Sequence, residues 1–222
     1  MKLLPFFIAA SVALTINVAQ AGVIIGGTRV IYNGDKKETS ISVKNPDKYS
    51  YLIQSWVDSN GHEKAPFIIT PPLFRLGATE DNALRIVRTG GKLAEDRESM
   101  YWMNIKTIPA TEKQDNVNTL QIAIKTRLKL IYRPQALTAS PESVANKLTW
   151  QRSGQRLNVT NPTPYYMNFS QVKVGGSVVK DATYVAPMSS AAFTLPAGAN
   201  GDVGWKIISD YGAAGNEYHA HL

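Results

Sequence analysis

Thirteen residues, Leu120 to Tyr132 (LQIAIKTRLKLIY), alternate almost without a break and constrain the fold more than any other stretch of this 222-residue chain. Side chains at i, i+2 and i+4 of a strand share a face. One face therefore carries Leu120, Ile122, Ile124, Thr126, Leu128 and Leu130, and the other Gln121, Ala123, Lys125, Arg127, Lys129 and Ile131. At about 3.3 Å per residue the run spans roughly 43 Å, where a typical strand covers roughly 17–20 Å. A sandwich of about 100 residues cannot cover that length. The plain reading is a long core strand with a basic, solvated outer face. The sharper reading leaves one end of the aliphatic face for a partner, because a long apolar edge is a hazard that chains normally suppress. Pairing it with another chain's sheet gives affinity through the backbone and specificity through alternate side chains.

The segments before this run are strand-like as well. Arg29 to Tyr32, Glu38 to Lys44, Tyr51 to Val57, Phe67 to Ile69, Leu84 to Val87 and Met100 to Ile105 are separated by turn signals such as Asn33-Gly34-Asp35, Asn45-Pro46-Asp47 and Asn60-Gly61. With the long run they make seven short strands and no amphipathic helix, the pattern of an immunoglobulin-like sandwich. Thr70-Pro71-Pro72 demands a break or an edge, because proline cannot donate to a ladder. Arg133-Pro134 stops the long strand, and the small, polar segment Gln135 to Pro141 marks a boundary. Beyond it, one helical turn over Glu142 to Leu148 with Ser140 as cap is expected. It precedes strands at Leu148–Gln151, Arg156–Val159, Tyr165–Val174, Ser177–Val185, Ala191–Leu195, Val203–Ser209 and Tyr218–Leu222. The expectation is all-β: residues 22–137 and 144–222 as two tandem sandwiches joined by a linker at 138–143.

The first 21 residues read differently. Lys2, an apolar run to Val18 and Ala19-Gln20-Ala21 form a secretory signal peptide. Removing residues 1–21 from the 222 leaves 201, and the net charge of +7 becomes +6 when Lys2 is lost. No later apolar run approaches the roughly 18–20 residues that a membrane span needs, so membrane insertion is not expected. With 44% hydrophobic and 18% charged residues the chain can bury a core. It has no Cys, which excludes a disulfide scaffold despite export to an oxidising compartment. Export also discounts nucleic acid as the target of the basic charge, and a carboxylate-bearing partner is the sharper alternative to a solvated surface. Together these features point to the bacterial periplasm.

Catalytic signals are weak. The histidines are His62, His219 and His221, and His219-Ala-His221 puts two imidazoles on one strand face without the third ligand a metal site wants. Ser177-Val-Val-Lys180 matches S-x-x-K, yet Gly175-Gly176 before it and its two valines make a hairpin strand, whereas a hydrolase of that type needs a helix start. No catalytic residue, cofactor or metal site is expected. On the basic face, Lys129 lies at the far end of the long strand, and Arg29 begins an early strand. Two surface cations are the simpler reading. If the strands run side by side, the two repel until an anion arrives.

At this point the motifs form a series. Gly27-Thr-Arg-Val-Ile-Tyr32, Tyr51 to Val57, Thr70-Pro-Pro-Leu73, Asp96-Arg-Glu-Ser99, Met103-Asn104, Ile108-Pro109, Leu130-Ile-Tyr-Arg-Pro134, Asn161-Pro-Thr-Pro-Tyr-Tyr166 and Ser209-Asp-Tyr-Gly212 span nearly the whole mature chain. In this order they resemble the periplasmic chaperones of the chaperone–usher pathway, closest to the type 1 fimbrial branch. The resemblance implies two immunoglobulin-like domains in a boomerang, with neither catalysis nor nucleotide. It further implies that the chaperone lends its own strand to an incomplete pilin until delivery to the outer-membrane usher. Carried over, Arg29 and Lys129 match the pair that anchors the pilin's C-terminal carboxylate. Asn118, Leu120, Ile122 and Ile124 match the donor residues, and Glu98, Arg133 and Asp210 match an interdomain charged triad. Thr70-Pro71 matches a position where the family carries a cis bond. The absence of Cys and the short Pro109 to Asn118 segment match the short-loop type, which serves rod-like, adhesin-tipped pili. Self-association of the free chain would hide the apolar strand. A structural pilus subunit or adhesin is the alternative, although such proteins typically have one sandwich and a Cys pair.

Overall fold

The computed structural model describes residues 22–59, 64–110 and 120–222. The signal peptide, the Asn60-Gly61 turn, His62 and the donor position Asn118 lie outside the described residues. The first half contributes β1 (Ile24–Ile25), β2 (Arg29–Asn33), β3 (Glu38–Lys44), β4 (Tyr51–Asp58), β5 (Phe67–Thr70), β6 (Leu73–Leu76), β7 (Asp81–Arg88), β8 (Ser99–Pro109) and β9 (Ile124–Arg133). They form two facing sheets, β1-β3-β7-β5 and β2-β9-β8-β4-β6. β2 lies parallel to β9, while β8 pairs antiparallel to both β4 and β9. Alternation decides which residues enter the core between the sheets. Ile41 and Val43 of β3, Leu84 and Ile86 of β7, Met103 and Ile105 of β8, and Leu128 and Leu130 of β9 are buried. Burying a side chain of this size stabilises by about 1.5–3 kcal/mol.

This sandwich matches the resemblance at one point and departs from the sequence expectation at two. The Thr70-Pro71 bond is cis, and the chain returns at once into β6, which pairs with β4 along an edge where proline's missing donor is tolerated. More important for function, β9 begins at Ile124 rather than at Leu120. Its ladder with β8 runs from Ser99↔Tyr132 to Thr107↔Ile124, and β8 itself ends at Pro109. Leu120 to Ala123 therefore lie beyond the ladder, held to it by the Gln121 side-chain amide donating to the Pro109 carbonyl.

The second half begins with a short helix, α1 (Pro141–Val144), whose first turn is capped by Ser140: Ser143 N donates to Ser140 Oγ at 3.3 Å. It continues as β10 (Thr149–Ser153), β11 (Arg156–Asn161), β12 (Met167–Val174), β13 (Ser177–Val178), β14 (Tyr184–Val185), β15 (Ser189–Thr194), β16 (Val203–Ile208) and β17 (Ala214–Ala220). One sheet is β10-β11-β15 and the other β13-β12-β16-β17, with β14 also on β12. Trp150, Phe169, Phe193 and Trp205 fill the space between them. The single strand expected at Ser177–Val185 is two, because β13 and β14 pair with opposite ends of β12. Between them, Asp181 turns away and its carboxylate accepts from Thr194 N. The last strand runs over Ala214–Ala220, ahead of the expected Tyr218–Leu222, because it pairs with β16 through a bulge. His221 falls beyond it and pairs with Asp202 at 2.7 Å.

Candidate functional site

β9 strings three chemically different stations along one backbone. At its foot stands Arg133, whose side chain is nearly buried. Its Nε donates to Glu98 Oε1 at 2.7 Å, and its two terminal nitrogens donate to the Asp210 carboxylate at 2.6 and 2.8 Å. Glu98 Oε2 accepts in turn from Tyr166 N at 2.7 Å, and Glu98 N donates to Pro164 O at 2.9 Å. Glu98 and Arg133 belong to the first sandwich, whereas Asp210, Tyr166 and Pro164 belong to the second. The bidentate fork thus ties the two sandwiches together. Burial pushes the Glu98 carboxyl above its ordinary range, while Arg133 and the Tyr166 amide pull it back. Gly212 makes the close approach possible: its φ is +86°, and a Cβ there would strike the Thr28 hydroxyl. The β16–β17 turn can therefore press against the start of β2 and deliver Asp210 to Arg133.

Four residues up the strand is the second station. The parallel register places Arg29 of β2 directly opposite Lys129 of β9. Both are half-buried, and neither forms an ion pair among the described residues. Arg29 Nη1 reaches only the Ile208 carbonyl, at 3.3 Å, and its Nε is buried without a partner. Lys129 Nζ donates to Asn168 Oδ1 and sits 4.7 Å from the centre of the Tyr184 ring. Desolvation and the neighbouring Arg29 charge pull the Lys129 ammonium down to about 8. Desolvation lowers Arg29 too, although Asp210 and Glu142 counter it. Two cations are held together at this depth without an anion among the described residues, and one keeps an unused donor, an arrangement that a single carboxylate can neutralise.

The third station is the apolar end. Leu120, Ile122 and Ile124 are 85%, 62% and 54% exposed, whereas Leu128 and Leu130 on the same face are 6% and 0% exposed. The other edge of this segment is open as well, since β2 covers β9 only from Lys129 to Arg133. An aliphatic comb thus projects beside unpaired backbone, and the cation pair closes its lower end.

Every candidate residue within the described chain falls at one of these stations. Sequence reasoning missed Asn168, Tyr166 and Tyr184, which the second sandwich brings to the cation pair and the joint. Asn168 carried a signal: a polar residue between Met167 and Phe169 in a strand has to find a partner when buried, and it is 3% exposed.

Comparison with known proteins follows the same outline. The family described as pili and flagellar-assembly chaperone, PapD N-terminal domain, matches residues 22–138, and the PapD C-terminal domain of pili assembly chaperones matches residues 143–219. The chain is 44% identical over 199 residues to the chaperone protein FimC of Escherichia coli O6:H1, covering 88% of this chain and 82% of that protein. It is 43% identical over 206 residues to the chaperone protein LpfB of Salmonella typhimurium, covering 90% and 89%. Among solved structures, the Salmonella enterica SafA pilin in complex with the SafB chaperone superposes with a TM-score of 0.86 at 40% identity, over 90% of this chain and 96% of that one. The E. coli chaperone DraB superposes with a TM-score of 0.82 at 43% identity, over 90% and 96%.

Proposed function

The chain belongs to the pilus-assembly chaperones of the chaperone–usher pathway, and on that premise we propose how its three stations work: β9 and the segment before it complete a pilin subunit whose C-terminal carboxylate is held by Arg29 and Lys129. The observation that carries this reading is the pairing of an exposed apolar comb with two cations that have no ion-pair partner among the described residues. The carboxylate fixes one end of the partner's strand at Lys129. For that strand to run beside the comb, it has to extend toward Leu120, so it lies parallel to β9. Leu120, Ile122 and Ile124 then enter the pilin's own core, where three such side chains contribute about 5–9 kcal/mol before ordering costs.

The reaction is binding alone, without cofactor or bond cleavage. The setting is the periplasm, reached by cleavage after Ala21, and the recipient of the complex is the outer-membrane usher. A pilin partner is supported by the SafB relative, solved with the SafA pilin. The two-domain match and the relatives named as chaperones set aside a structural pilus subunit. Residues 22–137 carry the comb and the anchor, residues 138–143 link, and residues 144–222 contribute Asn168 and Asp210.

Co-expression with the pilin encoded beside this chain tests the reading. Ile122→Asp is expected to abolish co-purification of the pilin while leaving the thermal midpoint of the chaperone within about 2 °C, since the side chain is exposed. Lys129→Ala is expected to lower periplasmic pilin at least tenfold. Normal pilin levels with Lys129→Ala would remove the anchor, and a retained complex with Ile122→Asp would remove strand donation.

A further inference from the structure

The face of β9 opposite the comb carries a second pattern that the capture of an apolar strand does not use. Lys125, Arg127 and Lys129 project outward on the sheet, and the ladder sets Lys106, Asn104 and Trp102 of β8 across from them. Each of the three cations covers an aromatic ring. Lys125 Nζ lies 5.1 Å from the centre of Trp56, Arg127 Cζ 4.2 Å from Trp102, and Lys129 Nζ 4.7 Å from Tyr184. Such cation–ring contacts restrain the long side chains. Among the described residues, no ion pair involves Lys106, Lys125 or Arg127. The neighbouring acid, Asp58, accepts from the Asn104 side chain at 2.9 Å.

The position of this row relative to the open edge gives it a partner. From Ile124 to Leu128 the β2 side of β9 has no paired strand, so any strand added there places its own outward side chains beside Lys125 and Arg127. We propose that this row reads the charge of the captured subunit: the pilin strand that pairs along β9 carries acidic side chains at its outward positions opposite Lys125 and Arg127. This rests on the reading above. The carboxylate at Lys129 sets the register, and alternation then puts those positions about two and four residues before the anchored end. The comb selects for apolar residues on one face of the subunit strand, and the cation row selects for acids on the other. A strand with lysines there meets like charges directly opposite and is disfavoured.

Three labelled peptides test this with the mature full chain. Each has the same alternating apolar face and a free C-terminal carboxylate. The residues two and four before the C-terminus are Glu in one, Gln in the second and Lys in the third, and a C-terminally amidated Glu peptide completes the set. The Glu peptide is expected to bind about tenfold tighter than the Lys peptide at 50 mM NaCl, with the Gln peptide between. At 500 mM NaCl the ratio is expected to fall below threefold. In Lys125→Gln/Arg127→Gln, with folding checked by its thermal midpoint, the Glu-to-Lys ratio is expected to collapse toward one. Carboxylate-dependent binding of all three peptides with equal affinity overturns the inference and leaves the capture reading standing. Equal binding of the amidated peptide, or no binding at all, overturns both. A salt-sensitive dimer of the chain alone, abolished by Lys125→Glu, assigns the row to self-association and also overturns the proposal.

Discussion

Lys129 and Arg133 stand four residues apart on one strand and meet opposite fates. Arg133 is enclosed by two carboxylates, with Glu98 and Asp210 both within 2.8 Å. Lys129 faces another cation, finds a neutral amide and an aromatic ring but no carboxylate among the described residues, and has its ammonium pulled down to about 8. Both are substantially buried, so burial alone does not distinguish them. The difference lies in whether the fold itself supplies the anion. Where it does, the charge is a joint, and removing a member strands the others. Where it does not, the charge raises the free energy of the empty protein, and on the proposed reading a bound carboxylate relieves it.

The largest effect is expected at the joint. Arg133→Met leaves Glu98, whose side chain is 1% exposed, without its cation and unties Asp210 across the domains. The expected loss is about 3–5 kcal/mol in urea unfolding, because the cost is that of an uncompensated buried charge. Adding Glu98→Gln is expected to restore part of it, as coupled sites are not additive. A loss of less than about 1 kcal/mol would mean that the interdomain fork is ornamental.

The sign reverses at Lys129. Its folded pKa of about 8 lies below the ordinary value of 10.5, so the unfolded chain binds more protons across that window. Stability of the empty protein therefore rises as pH climbs from about 8 to 10.5, and the penalty is fully present below pH 8. Lys129→Met is expected to stabilise the free protein at pH 7 by about 1–2 kcal/mol, a figure reduced for the solvent that still reaches the ammonium. The same variant is expected to lose pilin capture. Equal or lower stability would show that the cation pair carries no stored repulsion.

The same titration governs affinity. On the proposed reading, capture of a carboxylate needs the ammonium, and with a pKa of about 8 its charged fraction falls about tenfold between pH 7 and pH 9. Affinity for a free-carboxylate peptide is expected to fall by that factor, and affinity for an amidated peptide is expected to stay flat. Titration calorimetry at the two pH values separates them. A flat response of both peptides breaks the link between the Lys129 proton and the ligand.

The contrast between joint and receptor was only partly legible in the residues. Alternation located nearly all of the strands because it directly reflects which side chains enter a core. It identified the face of Leu120 to Leu130, yet not where the face stops being covered, because that depends on how far β8 extends alongside. β6 escaped notice because Pro71 and Pro72 read as an end rather than a corner. The side-by-side placement of Arg29 and Lys129 follows from a parallel pairing across about 100 intervening residues, and no local pattern encodes it. Asn168 was hidden for the same reason: its partner is 39 residues away in the other sandwich.

That amide gives the smallest and most discriminating test. Asn168 Oδ1 already accepts from Lys129 Nζ, so Asn168→Asp changes one group and puts a carboxylate where the neutral oxygen stood. The substitution turns the receptor into a joint. Lys129 then gains the internal anion that Arg133 has, and its ammonium is expected to move back up toward its ordinary range. The empty chain is expected to gain about 0.5–1.5 kcal/mol at pH 7, the scale of one improved hydrogen bond in a partly open site. Pilin capture is expected to weaken, because the subunit's carboxylate now competes with one that never dissociates. Asn168→Ala serves as the control: it removes the acceptor, supplies no anion, and is expected to weaken stability slightly while leaving the receptor open. If Asn168→Asp lowers stability yet leaves pilin capture normal, the pair at Arg29 and Lys129 is not waiting for a carboxylate.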